Sequence, residues 1–314
     1  MHPALSVIFF TTMSGLGYGL AFILCLGFAD PAASSTKIGW FVALAAITLG
    51  LLSSTLHLGN PQRAWRAFSQ WRSSWLSREG CMAVITFVPL CTLAALSIFD
   101  NRSLMVVGLV GALFCAVTVY STAMIYASLR TVITWHTFLT PVCYLSFSAT
   151  SGLLMYRAFF AGTDVGNRDW FSIVGILALF AAWFAKYLWA RRNMFAGYGD
   201  SSMETATGLG HLGKVRLLER PHMMGNYLTN EMVFRIGRKH NELLWRIAVL
   251  LGLVLPTIFL ALGLATPGQS TFYPIVAAVA HIMGLMVERW LFFASARHAV
   301  SLYYGGDEAL KTAE

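Results

Sequence analysis

Residues 104–129 of the chain read LMVVGLVGALFCAVTVYSTAMIYASL, a run of 26 residues without a charged side chain. A helix needs about 20 mostly apolar residues to cross the hydrocarbon core of a bilayer, so this run alone predicts a membrane-spanning helix. Seven further windows share its character. The eight windows are Leu5 to Phe28, Ile38 to Leu56, Gly80 to Ile98, Leu104 to Leu129, Phe138 to Phe159, Trp170 to Tyr187, Leu244 to Leu264 and Phe272 to Phe293.

The composition of the whole chain agrees with these windows. Of the 314 residues, 57% are hydrophobic and only 11% are charged, whereas soluble domains average about 25% charged residues. A chain with so little charge cannot cover a water-facing surface, which excludes a soluble enzyme, a disordered chain and a secreted disulfide scaffold. The sequence predicts an all-α fold, a polytopic integral membrane helix bundle of about eight transmembrane helices, forming a single membrane domain over residues 1–314.

The basic residues predict how this bundle is oriented. An even number of spans places both termini on one side, and 18 of the 22 Lys and Arg residues fall on that side or in the loops that share it. Because short cytoplasmic loops are enriched in Lys and Arg, we expect an inner-membrane (cytoplasmic-membrane) protein with both termini in the cytoplasm. The net charge of +8 follows from this topology, so no nucleic-acid partner is expected.

The same side carries the one extended polar segment, a long cytoplasmic loop between spans six and seven at residues 190–242. Residues 226–240 within it have the pattern of a basic amphipathic helix. The sequence leaves three roles open for the loop: contact with membrane lipid, contact with a partner protein, or a solvated connector.

Few ionisable residues lie in or near the spans, and none suggests a metal site. They are His136, Lys186, His281, Glu288 and Arg289. This set lacks the ladder of carboxylates or lysines typical of a proton pump or coupled transporter. We interpret both histidines as packed side chains bonded to backbone groups. Because the five cysteines form no C-x-x-C pair, no haem, iron–sulfur cluster or other metal is predicted in this chain.

The stretch richest in candidate functional side chains begins at the end of span two. Residues 57–68 read HLGNPQRAWRAF, and residues 73–79 read SSWLSRE. A site that exchanges hydrogen with a quinone needs donors for two carbonyl oxygens, titratable groups and an apolar slot. His57 suits the donor role because histidine titrates near cytoplasmic pH, and Glu79 could pass protons onward. The alternative, which composition alone favours, is that these residues are interfacial anchors.

Three motifs resemble the membrane anchor subunit family of dimethyl sulfoxide reductase and its relatives, which include the anchor of the quinone-linked sulfite dehydrogenase. Together they cover spans two to five and eight, and eight spans is also the number of that family. The motifs are His57-Leu-Gly-x-Pro-x-Arg63-Ala-x-x-x-Phe68 with Ser73 to Glu79, Tyr126-x4-Thr131-Val-x-Thr134-Trp135-x4-Thr140-Pro141, and Gly284-x4-Arg289-x-x-Phe292-Phe293.

The resemblance implies a subunit without its own redox metal. It would hold a molybdopterin catalytic subunit and an iron–sulfur electron-transfer subunit to the membrane, and exchange electrons with menaquinone or ubiquinone. Carried over residue by residue, His57 and Glu79 are the two positions that the family uses at its quinone site. Arg63, Ser77 and Trp135 lie in the matching motifs and are expected to line the same site.

The predicted topology distinguishes between the two kinds of relative. The motifs fall on the side that the charge count assigns to the cytoplasm, an arrangement that resembles the cytoplasmic sulfite dehydrogenase more than an exported sulfoxide reductase. Oxidation of sulfite with quinone reduction is the leading interpretation. The alternatives are reduction of dimethyl sulfoxide or an N-oxide with menaquinol oxidation in anaerobic respiration, a passive anchor protein, and a small-molecule transporter. In relatives the carboxylate of the last span lies nearer the glycine, so Glu288 is interpreted as a structural partner of Arg289.

Overall fold

Long apolar helices joined by short polar turns make up almost all of the described chain. The computed structural model describes residues 4–56, 60–160, 169–199, 201–216, 218, 240–266 and 271–304. The α-helices in this part are α1 (Leu5–Cys25), α2 (Ser34–Thr55), α3 (Trp75–Ala95), α4 (Met105–Ala127), α5 (Leu139–Phe159), α6 (Asp169–Phe195), the short α7 (Met203–Thr207), α8 (Asn241–Val249), α9 (Leu255–Ala265) and α10 (Phe272–Ala294).

Two of the spans contain a π-helical turn. Helix α3 continues through Leu96–Asp100 and stops at Asn101, which adopts a left-handed conformation with φ 53°. Helices α8 and α9 are joined by the turn Leu250–Val254 and form one span, Asn241–Ala265. The π-helical turns therefore extend or join these two spans without interrupting them.

Within the described residues, seven helices are long and apolar enough to cross a membrane. They match seven of the eight predicted windows. The remaining window forms α5, which is 21 residues long and so about 31 Å in length, enough to cross the hydrocarbon core. Helix α5 is less apolar because it carries several Ser and Thr residues and Arg157. The protein is a polytopic helical membrane protein, as the sequence predicts.

Helix α1 lies at the centre of the bundle and packs against α2, α4, α5 and α10. Its contact with α5 is the closest, because two glycines face each other across it. A Cβ atom built on Gly19 would lie 1.9 Å from the carbonyl oxygen of Ser148, and one on Gly152 would lie 2.2 Å from the carbonyl carbon of Gly19. Small residues let helix backbones approach in this way inside membranes.

We expect Gly152→Ala to destabilise the fold by about 3 kcal/mol, since the added methyl group forces two backbones apart. The unfolding midpoint of the detergent-purified protein measures this effect. Gly15→Ala is the matched control in α1, because a Cβ there meets no atom within 4 Å. Equal midpoints for the two variants would contradict a tight α1–α5 contact.

Helix α6 runs eight residues beyond its predicted end at Tyr187 and occupies the beginning of the segment predicted as a loop at 190–242. The extra turns bind the connection between α4 and α5. Arg192 donates to the carbonyl of Ile133 at 3.0 Å, and Asn193 donates to the carbonyl of Thr134 at 3.1 Å. These partners are distant in sequence, so the local pattern could not predict the extension. Residues 226–239 of the predicted amphipathic helix lie outside the described residues.

Candidate functional site

Glu79 lies in the first turns of α3 and faces the interior of the bundle. The helix begins after Ser74, whose hydroxyl accepts a hydrogen bond from the backbone N–H of Ser77 at 3.5 Å. The Glu79 side chain is 5% exposed, and its Oε1 accepts a hydrogen bond of 3.0 Å from the Thr122 hydroxyl of α4. A carboxyl group at this depth is costly and marks a candidate functional site.

A tyrosine of α1 lies near the partner of this carboxylate. Tyr18 and Thr122, which donates to Glu79, line one small cavity of about 10 Å³. Tyr18 also lines an apolar groove of about 180 Å³ between α1, α4 and α5, whose other lining residues include Phe22, Val119 and Leu145. Tyr18 therefore lies between this apolar groove and the small cavity that Thr122 lines.

The segment before α3 is folded onto it as a 3-10 helix, Pro61–Phe68. Ser77, which is 2% exposed, donates its hydroxyl hydrogen to the carbonyl of Ala67. Gly80 lies close to Phe68, because a Cβ atom built on Gly80 would lie 3.5 Å from the Phe68 ring. The hydroxyl of Ser77 therefore holds the 3-10 helix against α3.

Of the other predicted residues of this stretch, the structure describes Arg63 but not His57. Arg63 lies on the exposed surface of the 3-10 helix, and His57 lies outside the described residues. Trp65 and Trp71 are exposed, and each ring stacks with the arginine that follows it. This is the arrangement expected of interfacial anchors, so the alternative interpretation fits these tryptophans.

Trp135, between α4 and α5, belongs to an aromatic cluster at the same end of the bundle. Its indole N–H donates to the carbonyl of Phe292 at 2.9 Å, and its ring stacks on the Phe292 ring with centroids 5.3 Å apart. The ring of Tyr126 packs edge-on against it at 5.4 Å. Tyr126 therefore belongs to the same aromatic cluster as Trp135.

Three charged side chains lie buried between α6 and α10. Lys186 Nζ is 2.5 Å from Glu288 Oε1, and Arg289 Nε is 3.1 Å from Glu288 Oε2, with all three side chains at most 3% exposed. Lys186 Nζ also lies 3.6 Å from the centroid of the Trp189 ring, and Arg289 Cζ lies 4.0 Å from that of Tyr144. The predicted pairing of Glu288 with Arg289 is confirmed. The additional pairing of Lys186 with Glu288 was not predicted from the sequence.

Both histidines are bound to backbone carbonyls, as predicted. His136 Nδ1 lies 2.6 Å from the Ala127 oxygen, and His281 Nδ1 lies 2.9 Å from the Gly252 oxygen. Over the described parts of the chain, no group of three or more His, Cys, Asp or Glu side chains is placed to hold a metal ion.

The fold and this site define a polytopic helical membrane protein with a buried carboxylate near one membrane face. Comparison with known families gives its place among such proteins. Residues 1–305 match the model of the family described as DMSO reductase anchor subunit (DmsC). The chain belongs to that family, and the resemblance seen in the sequence motifs is confirmed.

Among individual proteins, the chain is similar to a sulfite dehydrogenase subunit of Allochromatium vinosum. The two are 33% identical over 97% of this chain and 99% of the relative. No solved structure matches the chain.

Several residues of the site carry no signal in the sequence. Thr122 and Tyr18 sit in apolar runs, and only the register between helices brings them close to Glu79. Lys186, by contrast, carries a usable signal, because a lysine inside a nearly uncharged helix predicts a buried partner.

Proposed function

We propose that the chain is the membrane anchor and quinone-reactive subunit of a molybdopterin oxidoreductase complex. It passes electrons between an iron–sulfur partner subunit and the quinone pool of the membrane. The observation that carries this proposal is the buried Glu79 carboxylate, which accepts a hydrogen bond from Thr122 in the interior of the bundle. Membership of the anchor subunit family supports it.

The residues near Glu79 fit a quinone. The ring and tail of a quinone are apolar and its two carbonyl oxygens accept hydrogen bonds, so a fitting site needs an apolar groove with a few polar groups. The groove beside Tyr18 supplies the first. The Tyr18 hydroxyl, buried without a hydrogen-bond partner in the described structure, supplies a donor. When bound, the quinone supplies the two-electron chemistry; Glu79 holds or releases a proton at its carboxylate.

His57 and Arg63 belong to the same proposal through the family motif. In the sequence, His57 comes directly after the last described residue of span two. Arg63 lies in the 3-10 helix that precedes α3. We propose that His57 donates to one quinone oxygen and that Arg63, Ser77 and Trp135 shape the site. Ser77 acts through the 3-10 helix that it holds, since its hydroxyl is bound to Ala67.

Sulfite is the leading substrate of the catalytic partner, with quinone as the electron acceptor. The similarity to a sulfite dehydrogenase subunit over nearly the whole of both chains supports this choice. The alternative is reduction of dimethyl sulfoxide or an N-oxide with menaquinol as the electron donor, which the name of the family favours.

The proposed complex sits in the inner membrane with both termini in the cytoplasm. The excess of basic residues on the side of the termini supports this orientation. That side also holds the ends of α4, α6 and α10, the start of α3 and the predicted loop at 190–242. The molybdopterin and iron–sulfur subunits would dock there.

Purification of the tagged protein from solubilised membranes tests the proposal. We expect molybdenum and iron to co-purify, and the preparation to reduce a soluble quinone when sulfite is added. The same partners with only quinol-dependent sulfoxide reduction would select the alternative substrate. Absence of both metals from the purified protein would contradict the redox role and leave a passive anchor or a transporter.

A further inference from the structure

A groove that the proposed function does not use opens where α6 and α10 end and α8 begins. Its volume is about 530 Å³, which is within the range of sites that bind small molecules. Helix α8 packs against α10, whereas α6 packs against α5 and α9. The last turns of α6 therefore leave a space beside α8 and α10, which we call the interhelical groove.

The walls of the interhelical groove are mainly apolar. Its lining includes the rings of Trp189 and Trp245 and the exposed side chains of Met194 and Phe195. Tryptophan is enriched where a membrane meets water. The part of α6 that lines the groove runs from Lys186 to Phe195, or about 14 Å along the helix axis. A wall of this length and character suits the upper part of a fatty acyl chain.

Three polar residues of the lining use their hydrogen bonds within the protein. Asn193 donates to the carbonyl of Thr134 at 3.1 Å, and the Thr134 hydroxyl accepts from the backbone N–H of Arg297 at 3.2 Å. The Ser295 hydroxyl donates to the carbonyl of Leu291 at 2.6 Å. These groups hold the helix ends together, so the arginine side chains of the lining are left to meet a ligand.

Two arginines line the interhelical groove, the exposed Arg191 and the half-buried Arg297. Among the described residues, neither guanidinium is paired with a carboxylate. Arg192 differs from them, because it donates to two backbone carbonyls of the α4–α5 connection. Glu242, the one acidic side chain among the described lining residues, is paired with Arg246 at 2.5 Å. The positive charge of the two arginines is therefore not balanced by this carboxylate.

The buried trio adds to this positive charge. Lys186 also lines the groove, and its Nζ is 2.5 Å from Glu288 Oε1. Because Glu288 also pairs with Arg289, two cations share one carboxylate and the trio keeps a net positive charge. Arg191 follows Lys186 by five residues, about 7.5 Å along the helix axis. The field in the interhelical groove therefore favours an anion.

We propose that the interhelical groove binds an anionic phospholipid from the leaflet on the side of the termini. Arg191 and Arg297 bind its phosphate, and an acyl chain lies along the apolar wall beside Trp189 and Trp245. Basic pockets between transmembrane helices are suited to anionic headgroups on the cytoplasmic side of a membrane. The inference does not depend on the quinone function of Glu79.

The two halves of the groove together select this occupant. Arginine suits a phosphate, since its guanidinium offers several donors in one plane. A quinone is neutral and would leave the positive charge of the groove without a partner. A free phosphate would leave the apolar wall uncovered, and a zwitterionic lipid carries no net charge. An anionic phospholipid answers both the charge and the apolar wall.

The test measures lipid binding by the complex purified from membranes and freed of lipid in a nonionic detergent. Its melting midpoint is followed as phosphatidylglycerol, phosphatidylethanolamine with the same acyl chains, or inorganic phosphate is added. One variant combines Arg191→Gln with Arg297→Gln and removes the charge. A second, Ala190→Leu, narrows the apolar wall, since Ala190 lines the groove. Arg130→Gln is the matched control, because Arg130 is exposed and is not among the lining residues.

We expect phosphatidylglycerol to raise the melting midpoint, and the other two additives to leave it unchanged at the same concentration. The double arginine variant should raise the half-saturating concentration of phosphatidylglycerol by about thirtyfold. Ala190→Leu should also weaken binding although every charge remains. Arg130→Gln should bind like the wild type. Midpoints without lipid, together with the co-purified partners, verify that each variant is assembled.

Four results would overturn the proposal. Equal protection by phosphatidylglycerol and phosphatidylethanolamine would mean that the lipid is not recognised by its charge. Equal protection by inorganic phosphate would mean an anion site without a lipid tail. The same affinity in Arg130→Gln and the double arginine variant, or an unchanged affinity in Ala190→Leu, would place the lipid elsewhere. Loss of the phosphatidylglycerol effect on addition of a soluble quinone would make the groove a quinone site instead.

None of these readings involves Glu79 or electron transfer. A complex that binds phosphatidylglycerol as expected but has no quinone turnover would contradict only the proposed function. A complex with normal quinone turnover and no preference for the anionic lipid would contradict only the lipid site.

Discussion

Glu79→Gln is expected to lower quinone-coupled electron transfer by at least about a hundredfold, the usual share of a positioned proton-transfer group. Glutamine fills the same space and keeps an oxygen that accepts the hydrogen bond from Thr122, so helix packing should persist. What it loses is the ability to hold and release a proton. Turnover of a soluble quinone by the purified complex measures the effect.

Glu242→Gln is the control for this experiment. Glu242 lies at the start of α8, pairs with Arg246 and is 81% exposed, so the same chemical change there should leave turnover unaltered. Glu79→Asp extends the series, because it keeps the carboxylate but withdraws it from Thr122 by one methylene group. We expect an activity between those of the wild type and Glu79→Gln. Full activity of Glu79→Gln would show that the carboxylate transfers no proton.

The second large effect is expected for Glu288→Gln, which should destabilise the protein by about 4 kcal/mol. The substitution removes both ion pairs of the buried trio and leaves Lys186 and Arg289 as two unpaired cations in an apolar interior. The unfolding midpoint of the protein in detergent, followed by tryptophan fluorescence, measures the loss.

Two control variants separate the stability effect of burying a charge from the effect of breaking an ion pair. Lys186→Met should cost far less than Glu288→Gln, because it leaves Glu288 and Arg289 as a neutral pair. Glu242→Gln breaks an exposed pair and should change stability by less than about 0.5 kcal/mol. A small effect of Glu288→Gln, similar to that of Glu242→Gln, would mean that water reaches the trio.

The sequence predicts the helices of this protein well because the signal for each is local. An apolar run such as residues 104–129 fixes a span by its own length and composition. The family motif likewise points to Glu79, since a carboxylate at the start of an apolar helix is rare and stands out. The two histidines follow a simple rule as well, because a histidine without a charged partner usually finds a backbone acceptor.

The partners of Glu79 could not be predicted in this way. Thr122 looks like an ordinary residue of an apolar helix, and its role depends on how α4 is rotated against α3. Lys186 and Glu288 are individually conspicuous, but their pairing depends on how the bundle places α6 relative to α10. The extension of α6 to Phe195 depends on carbonyls of the α4–α5 connection. Each of these facts arises from tertiary contacts.

The central position of α1 bears on how the protein is made. Helix α1 precedes α5 and α10 in the chain, yet it packs against both, against α5 through the Gly19–Gly152 contact. These two neighbours therefore follow α1 out of the ribosome. The packing of α1 is completed only after α10 has been made, and a ribosome that stops before α10 leaves α1 without that neighbour.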